Sequence, residues 1–139
     1  MRILGIDPGS KRIGVAISDP TGTIANPLTV ISHVSRTSDA SEISQLAESH
    51  EARKIVVGQS LDEYGEPTLE GRRAARLAGA IREKSGLSVE LWDESFSTQQ
   101  ARAARIAMGT RRKKRSGHMD ELAATVILQS YLDAHRTEE

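Results

Sequence analysis

The sequence predicts an α/β domain in which a mixed five-stranded sheet is flanked by helices. Strand-like patterns of period two fill the first third of the chain, and apolar strand-like runs then alternate with segments of helical period. A meander followed by alternating strands and helices gives a sheet with both antiparallel and parallel neighbours. No linker or repeat interrupts the 139 residues, so we expect one domain over residues 1–139.

The first three elements are predicted strands. Residues 2–6 form a short apolar run. The second strand has apolar side chains at every other position: Ile13, Val15 and Ile17. The turn at residues 19–22 combines a proline, which presets φ, with a glycine, which tolerates a positive φ. A third strand is expected over residues 23–31, where Pro27 indicates an edge position or a bulge because it has no N–H to donate.

The remaining elements alternate between helix and strand. Ser38 and Asp39 are expected to cap a first helix, whose apolar face runs from Ile43 to His50. The elements expected after it are a buried parallel strand over residues 54–58, a helix over 69–84 that ends at Gly86, a strand over 87–92, a helix over 97–108 that opens with a capping box, and a final helix over 119–135.

Composition excludes several classes of protein. The chain has no cysteine, which rules out disulfide frameworks, thiolate zinc sites and cysteine nucleophiles. Its N-terminal apolar run meets an aspartate at position 7, too early for a signal peptide, and no stretch approaches the length of a membrane span. We therefore expect a cytoplasmic protein with no membrane contact.

The charges balance overall but not locally. The 19 basic and 19 acidic residues give a formal net charge of zero. A run of five consecutive cations nevertheless precedes the final helix: Arg111, Arg112, Lys113, Lys114 and Arg115. Such a run predicts salt-dependent contacts with nucleic acid phosphates, for which Lys11 and Arg12 are further candidates. Sparse aromatic residues argue against recognition by rows of stacked bases.

Acidic residues stand at two predicted strand ends. Asp7 lies where the first strand meets the turn Pro8–Gly9, and the pair Asp93 and Glu94 ends the strand over 87–92. Ligand sites of open α/β sheets gather around strand ends of this kind. Because side chains alternate along a strand, at most one member of the pair points toward Asp7 without a twist or bulge. Spacing alone leaves the choice between Asp93 and Glu94 open.

A third carboxylate belongs to the final helix. Asp120 lies four residues before Ala124 and eleven before Tyr131, which puts it on the core-facing stripe. An inward carboxylate is costly unless it is paired, hydrogen-bonded or bound to metal. Three carboxylates from two strands and a helix would form a hard oxygen site suited to Mg²⁺, with Mn²⁺ as the alternative, and to hydrolysis of a phosphodiester.

Four blocks of the sequence resemble, in order, the YqgF/RuvX family of RNase H-like nucleases. They are Ile6–Ala16, Ile55–Gly58, Trp92–Thr98 and Met119–Ala124, the last followed by Ile127–Gln129. The resemblance implies an RNase H-like fold and a metal-dependent nuclease that matures the 5′ end of the 16S ribosomal RNA precursor. Its acidic residues fall on Asp7, the Asp93–Glu94 pair and Asp120, and we take Glu94 as the ligand of the pair.

The resemblance leaves alternatives open. The family is similar in fold to Holliday-junction resolvases, so four-way DNA is a second substrate, cut by a monomer or a homodimer. Members usually carry arginine directly after the acidic pair, where this chain has Ser95, which keeps a non-catalytic RNA-binding assembly factor as an alternative. The turn after Asp7 also resembles the phosphate loop of actin-like ATPases and sugar kinases, whose duplicated fold needs a longer chain.

Overall fold

The computed structural model describes residues 1–96 and 116–135, with side chains for 1–96 and 121–135. Five strands form one sheet: β1 (Arg2–Pro8), β2 (Arg12–Ser18), β3 (Ala25–Ser32), β4 (Ala52–Gln59) and β5 (Ser88–Asp93). The longer helices are α1 (Arg36–Ser49), α2 (Leu69–Ser85) and α3 (Ser116–His135). Residues 94–96 are also helical. The helix predicted over 97–108 and the basic run at 111–115 lie outside the described residues.

The sheet has the mixed topology that the sequence predicts. Its strand order is β3-β2-β1-β4-β5. The meander β1-β2-β3 is antiparallel, while β4 runs parallel to both β1 and β5. Strand β1 is therefore central, and the carboxyl ends of β1, β4 and β5 lie at one edge of the sheet.

Pro27 occupies the position that its chemistry requires. Strand β3 is an edge strand of the sheet, and its pairing with β2 shifts register between Val15 and Ala16. Val15 lies opposite Thr29, whereas Ala16 lies opposite Pro27, so the irregularity falls beside the proline. Both expectations, an edge and a bulge, are confirmed.

The sequence predicts the end of α2 correctly but not the start of α1. The prediction that Ser38 and Asp39 cap α1 is wrong: Ser35 is the N-cap, and its side chain accepts a hydrogen bond from the Ser38 N–H. Asp39 is buried instead, and its carboxylate accepts hydrogen bonds from the Val34 N–H and from His33. The end of α2 is as predicted, because Gly86 closes the helix in the left-handed conformation with φ of 71°.

The sheet buries a different set of side chains on each face. One face packs its aliphatic residues against α1 and α2, and the other packs against α3. Along β1 the two sets alternate: Leu4 and Ile6 join the α1/α2 side, whereas Ile3 joins the α3 side. The final helix thus covers a face of its own. No helix in the described ranges is long and apolar enough to cross a bilayer.

Candidate active site

Asp7 lies at the carboxyl end of β1 on the α3 side of the sheet. It pairs with Gly14 of β2, which has no side chain to cover it, and it is half-buried. Its neighbour Ile6 packs into the α1/α2 core, so strand alternation turns Asp7 to the opposite face. In the parallel pair, Ile6 lies opposite Val57 of β4, and the residues that follow are Asp7 and Gly58.

Glu94 lies over Gly58. A Cβ added at Gly58 would stand 3.3 Å from the Glu94 Cγ and 3.5 Å from its Oε1. The same Cβ would be 2.8 Å from the Cδ1 of Ile127 in α3, which fixes the face as the α3 side. Gly58 therefore leaves room for Glu94 between the sheet and the helix. The structure brings Asp7 and Glu94 to one face and one edge of the sheet.

Asp93 has a different local role from Glu94. Its Oδ1 accepts a hydrogen bond from the Ser95 N–H at 2.9 Å, as an aspartate does at the start of a helical turn. Ser95, which stands where the family usually has arginine, is exposed. The two neighbouring carboxylates thus differ in position, because Asp93 is engaged at the helical turn and Glu94 lies over Gly58.

The carboxyl group of Glu94 is harder to ionise than a free glutamate side chain. Burial raises its pKa above the usual value, and the negative charges of Asp93 and Glu70 raise it further. Glu70 lies in the first turn of α2 and was not among the residues that the sequence identified. Its effect on Glu94 depends on the packing of α2 and β5, for which the sequence carries no local signal.

Helix α3 crosses β1 at close range. A Cβ added at Gly5 would stand 2.6 Å from the Leu128 Cβ and 3.3 Å from the Ala124 carbonyl oxygen, so glycine is needed there. Asp120 belongs to α3, one helical turn before Ala124. Its side chain lies outside the described part of the chain. Among the side chains that are described, no three acidic or histidine groups form a metal-binding cluster.

The predicted phosphate-binding residues divide into two sets. Lys11 and Arg12 are exposed at the start of β2, next to the turn that follows Asp7. The basic run Arg111–Arg115 lies outside the described residues.

Comparison with solved structures identifies the fold class of this protein. The chain superposes on RuvC of Thermus thermophilus, solved in complex with a Holliday junction substrate, with a TM-score of 0.63 and 15% identity over 98% of this chain and 96% of that one. The fowlpox virus Holliday junction resolvase gives a TM-score of 0.57 and 11% identity, over 96% and 99% of the two chains. The fold is that of the RNase H-like resolvases.

Sequence comparison then gives the family. A family model described as "RuvX: Holliday junction resolvase" matches residues 1–134. A protein of Syntrophus aciditrophicus named "Putative pre-16S rRNA nuclease" is 40% identical over 96% of this chain and 89% of its own length. A protein of Caldanaerobacter subterraneus with the same name is 39% identical over 98% and 99% of the two chains. This chain belongs to the RuvX family of nucleases, as the sequence motifs predicted.

Proposed function

We propose that this protein is a metal-dependent nuclease whose catalytic carboxylates are Asp7, Glu94 and Asp120. The observation that carries the proposal is the convergence of Asp7 and Glu94 on the α3 side of the sheet, at the carboxyl ends of β1 and β5. Helix α3 packs across this face and carries Asp120 one turn before its contact with Gly5. The proposed ligands thus come from three elements that meet at one edge.

The donor set fits a hard divalent cation. Asp7 and Glu94 offer carboxylate oxygens, which Mg²⁺ and Mn²⁺ prefer. Burial and neighbouring negative charges disfavour ionised Glu94 in the protein alone, and a cation would relieve that cost. When bound, such ions supply a nucleophile from water and neutralise charge on the leaving oxygen. Asp7, Glu94 and Asp120 would hold them, and Asp93, engaged at the helical turn, would not.

The basic residues would hold the substrate in place. Lys11 and Arg12 are exposed beside the turn that follows Asp7, within the same corner of the fold. The run Arg111–Arg115 precedes Asp120 by a few residues in the chain. Cations in these positions would bind backbone phosphates independently of sequence, so affinity should fall steeply with salt.

We infer that the substrate is the precursor of 16S ribosomal RNA, cut during maturation of its 5′ end. The names of the relatives at 40% and 39% identity support this substrate. A four-way DNA junction is the second candidate, and the description of the matching family model favours it. With an RNA substrate, we expect the protein to act in the cytoplasm. It would act as a monomer or a homodimer.

The test offers both substrates to purified protein with Mg²⁺, with Mn²⁺ and with chelator. Asp7→Asn should abolish cleavage while binding and folding persist, because asparagine keeps the volume and removes the charge. Glu42→Gln, an exposed site on α1, is the matched control for loss of one negative charge and should cleave normally.

Cleavage of the RNA precursor alone supports ribosomal RNA processing, and cleavage of the junction alone supports the second candidate. Binding without metal-dependent cleavage of either substrate would mean that the protein is an RNA-binding assembly factor. Activity retained in Asp7→Asn would show that the carboxylate assignment is wrong.

A further inference from the structure

A cleft opens on the other face of the sheet, behind the turn that follows Asp7. It has a volume of about 410 Å³ and lies between the Pro8–Ser10 turn, the start of α1 and the first half of α2. Ile13 and Leu77, both buried, contribute apolar surface to it. We call it the arginine cleft, because Arg36, Arg73 and Arg76 are among the residues that line it.

The cleft carries an excess of positive charge. Arg36 comes from α1, and Arg73 and Arg76 come from α2, so two helices direct cations at one concavity. Within the described part of the chain, no salt bridge joins these three guanidinium groups to a carboxylate. Two acidic residues also line the cleft, Glu70 and Asp39. Guanidinium groups bind phosphate through bidentate hydrogen bonds. Three of them at one cleft therefore suit a phosphate ligand.

Asp39 offsets part of this charge, but its oxygens are already engaged by protein groups. It is 2% exposed, and its Oδ1 accepts a hydrogen bond from the Val34 N–H at 3.0 Å. Its Oδ2 is engaged by the Nδ1 of His33. The hydrogen bond orients the imidazole, whose other nitrogen remains available, and His33 itself lines the cleft. The buried carboxylate is therefore an element that positions His33 and the start of α1.

The backbone around the cleft suits an anion as well. Ser35 and Arg36 place the N-terminus of the 14-residue helix α1 at the cleft, where the helix dipole favours negative charge. On the opposite wall, a Cβ at Gly9 would stand 2.2 Å from the Arg12 carbonyl oxygen, so only glycine allows this tight turn. The turn that follows Asp7 therefore lines the cleft with compact backbone.

We propose that the arginine cleft binds a phosphate group of the nucleic acid, separate from the phosphate that is cut. Cleft and Asp7 lie at the same end of β1, on opposite faces, and the residues that follow Asp7, Pro8 to Ser10, line the cleft. A strand that crosses this end of the sheet passes both. The phosphate belongs either to an internal phosphodiester or to a 5′-terminal monophosphate. The proposal rests on the proposed function only in assuming a nucleic acid ligand.

The experiment measures binding, with chelator present so that nothing is cut. The probes are inorganic phosphate, followed by calorimetry, and one labelled single-stranded RNA prepared with and without a 5′-phosphate, titrated at several salt concentrations. The test variant is R73Q/R76Q. The matched control is R72Q/K84Q, which removes the same charge from exposed sites of the same helix that do not line the cleft. Thermal unfolding checks that both variants fold.

We expect R73Q/R76Q to lose phosphate binding and to bind RNA about tenfold more weakly than the control, as for loss of charged hydrogen bonds. The slope of log affinity against log salt should become shallower by roughly 0.7, the value for neutralising one phosphate fewer on a single strand. An equal loss with both RNAs assigns an internal phosphodiester to the cleft, and a loss confined to the 5′-phosphorylated RNA assigns the terminal phosphate.

Two results would overturn the proposal. One is an equal loss in the test and control variants, which would reflect the general charge of α2. The other is binding of RNA and phosphate that the test variant leaves unchanged. Neither depends on cleavage, so a failed Asp7→Asn experiment would leave the cleft proposal standing, and a failed cleft experiment would leave the nuclease proposal standing.

Discussion

The two faces of the sheet bury different kinds of side chain. The α1/α2 face packs isoleucine, leucine, valine and alanine, with Ile43 and Ile81 fully buried. The α3 face has a smaller apolar cluster, and glycine replaces larger residues at Gly5 and Gly58 so that α3 approaches closely. Polar and aromatic groups also occupy this face, among them Glu90.

If the proposed site is correct, this difference separates the residues that stabilise the domain from those that carry out its chemistry. Aliphatic packing of the α1/α2 face removes apolar surface from water, which is the main source of folding free energy. The α3 face gives up part of that burial in order to hold a half-buried carboxylate, Glu94, near Asp7. Substitutions on the two faces should therefore have separable consequences, one for unfolding and the other for cleavage.

The largest expected effect is the loss of activity in Glu94→Gln. Cleavage should fall by more than about a hundredfold, since even residues that only orient metal ligands cost about 10–100-fold when replaced. Ile43→Ala is its counterpart on the α1/α2 face. That variant should lose about 2–5 kcal/mol of unfolding free energy but keep the activity of its folded fraction. Cleavage rates and urea unfolding of both variants test this separation.

Glu94→Gln should not lose stability, in contrast to Ile43→Ala. Because burial, Asp93 and Glu70 raise the pKa of Glu94, the folded protein binds this proton more tightly than the unfolded chain does. The free energy of unfolding therefore falls as pH rises from the unfolded pKa through the folded pKa. Glutamine carries no charge, so at neutral pH, with chelator, the variant should be as stable as wild type or more stable. A loss of stability together with normal cleavage would contradict both assignments.

An intermediate effect is expected where α3 meets the sheet. Gly5→Ala should cost about 1–3 kcal/mol, since its Cβ would overlap Leu128 and press on the Ala124 carbonyl of the helix backbone. Gly79→Ala on α2 is the matched control. A Cβ there meets nothing within 4 Å, so the variant should gain about 0.5–1 kcal/mol from helix propensity.

Urea unfolding measures both glycine variants, and a cleavage assay adds a second reading. Displacement of α3 should also displace Asp120, so Gly5→Ala should lose activity in excess of its unfolded fraction, whereas Gly79→Ala should not. If Gly5→Ala were as stable and active as wild type, α3 would not pack at the distance described.

Most of the fold follows from local patterns in the sequence. Three local patterns each favour a single structure: the period-two strand at Ile13–Ile17, the proline at an edge and the glycine that ends α2. All three predictions are confirmed. The start of α1 does not follow from such a pattern. Serine and aspartate both cap helices well, so Ser38 and Asp39 fit that role by residue type, but in the folded chain Ser35 is the cap and Asp39 contacts His33.

The candidate site, like the fold, is predicted from the sequence only in part. Strand ends and alternation are enough to predict that Asp7 and one carboxylate of the Asp93–Glu94 pair lie near each other. Selecting Glu94 through the sequence required the family resemblance, and the proposal now has support from the position of Glu94 over Gly58. Glu70 and the arginine cleft depend on how α1 and α2 pack on the sheet, which no short motif encodes.

The smallest effect is expected at the polar cluster of the α3 face. Glu90 accepts a hydrogen bond from the Tyr131 hydroxyl at 3.1 Å and pairs with the Lys54 ammonium at 2.9 Å. Both charged side chains are partly exposed, at 41% and 20%. Glu90→Gln should therefore cost only about 0.2–1 kcal/mol, the range for exposed ion pairs. Urea unfolding at neutral pH measures this loss, and Glu83→Gln, exposed on α2, is the control.

The pH dependence identifies the origin of that small difference. Burial opposes ionisation of Glu90, but the hydrogen bond and charge of Lys54 outweigh it and hold the pKa of Glu90 below its usual value of 4.5. A lowered folded pKa contributes stability above the unfolded pKa, and that contribution is lost as pH falls through the folded pKa. The difference between wild type and Glu90→Gln should thus be present at neutral pH and vanish in acid. If it were equally large at both pH values, packing of Glu90 rather than its charge would stabilise this end of the α3 face.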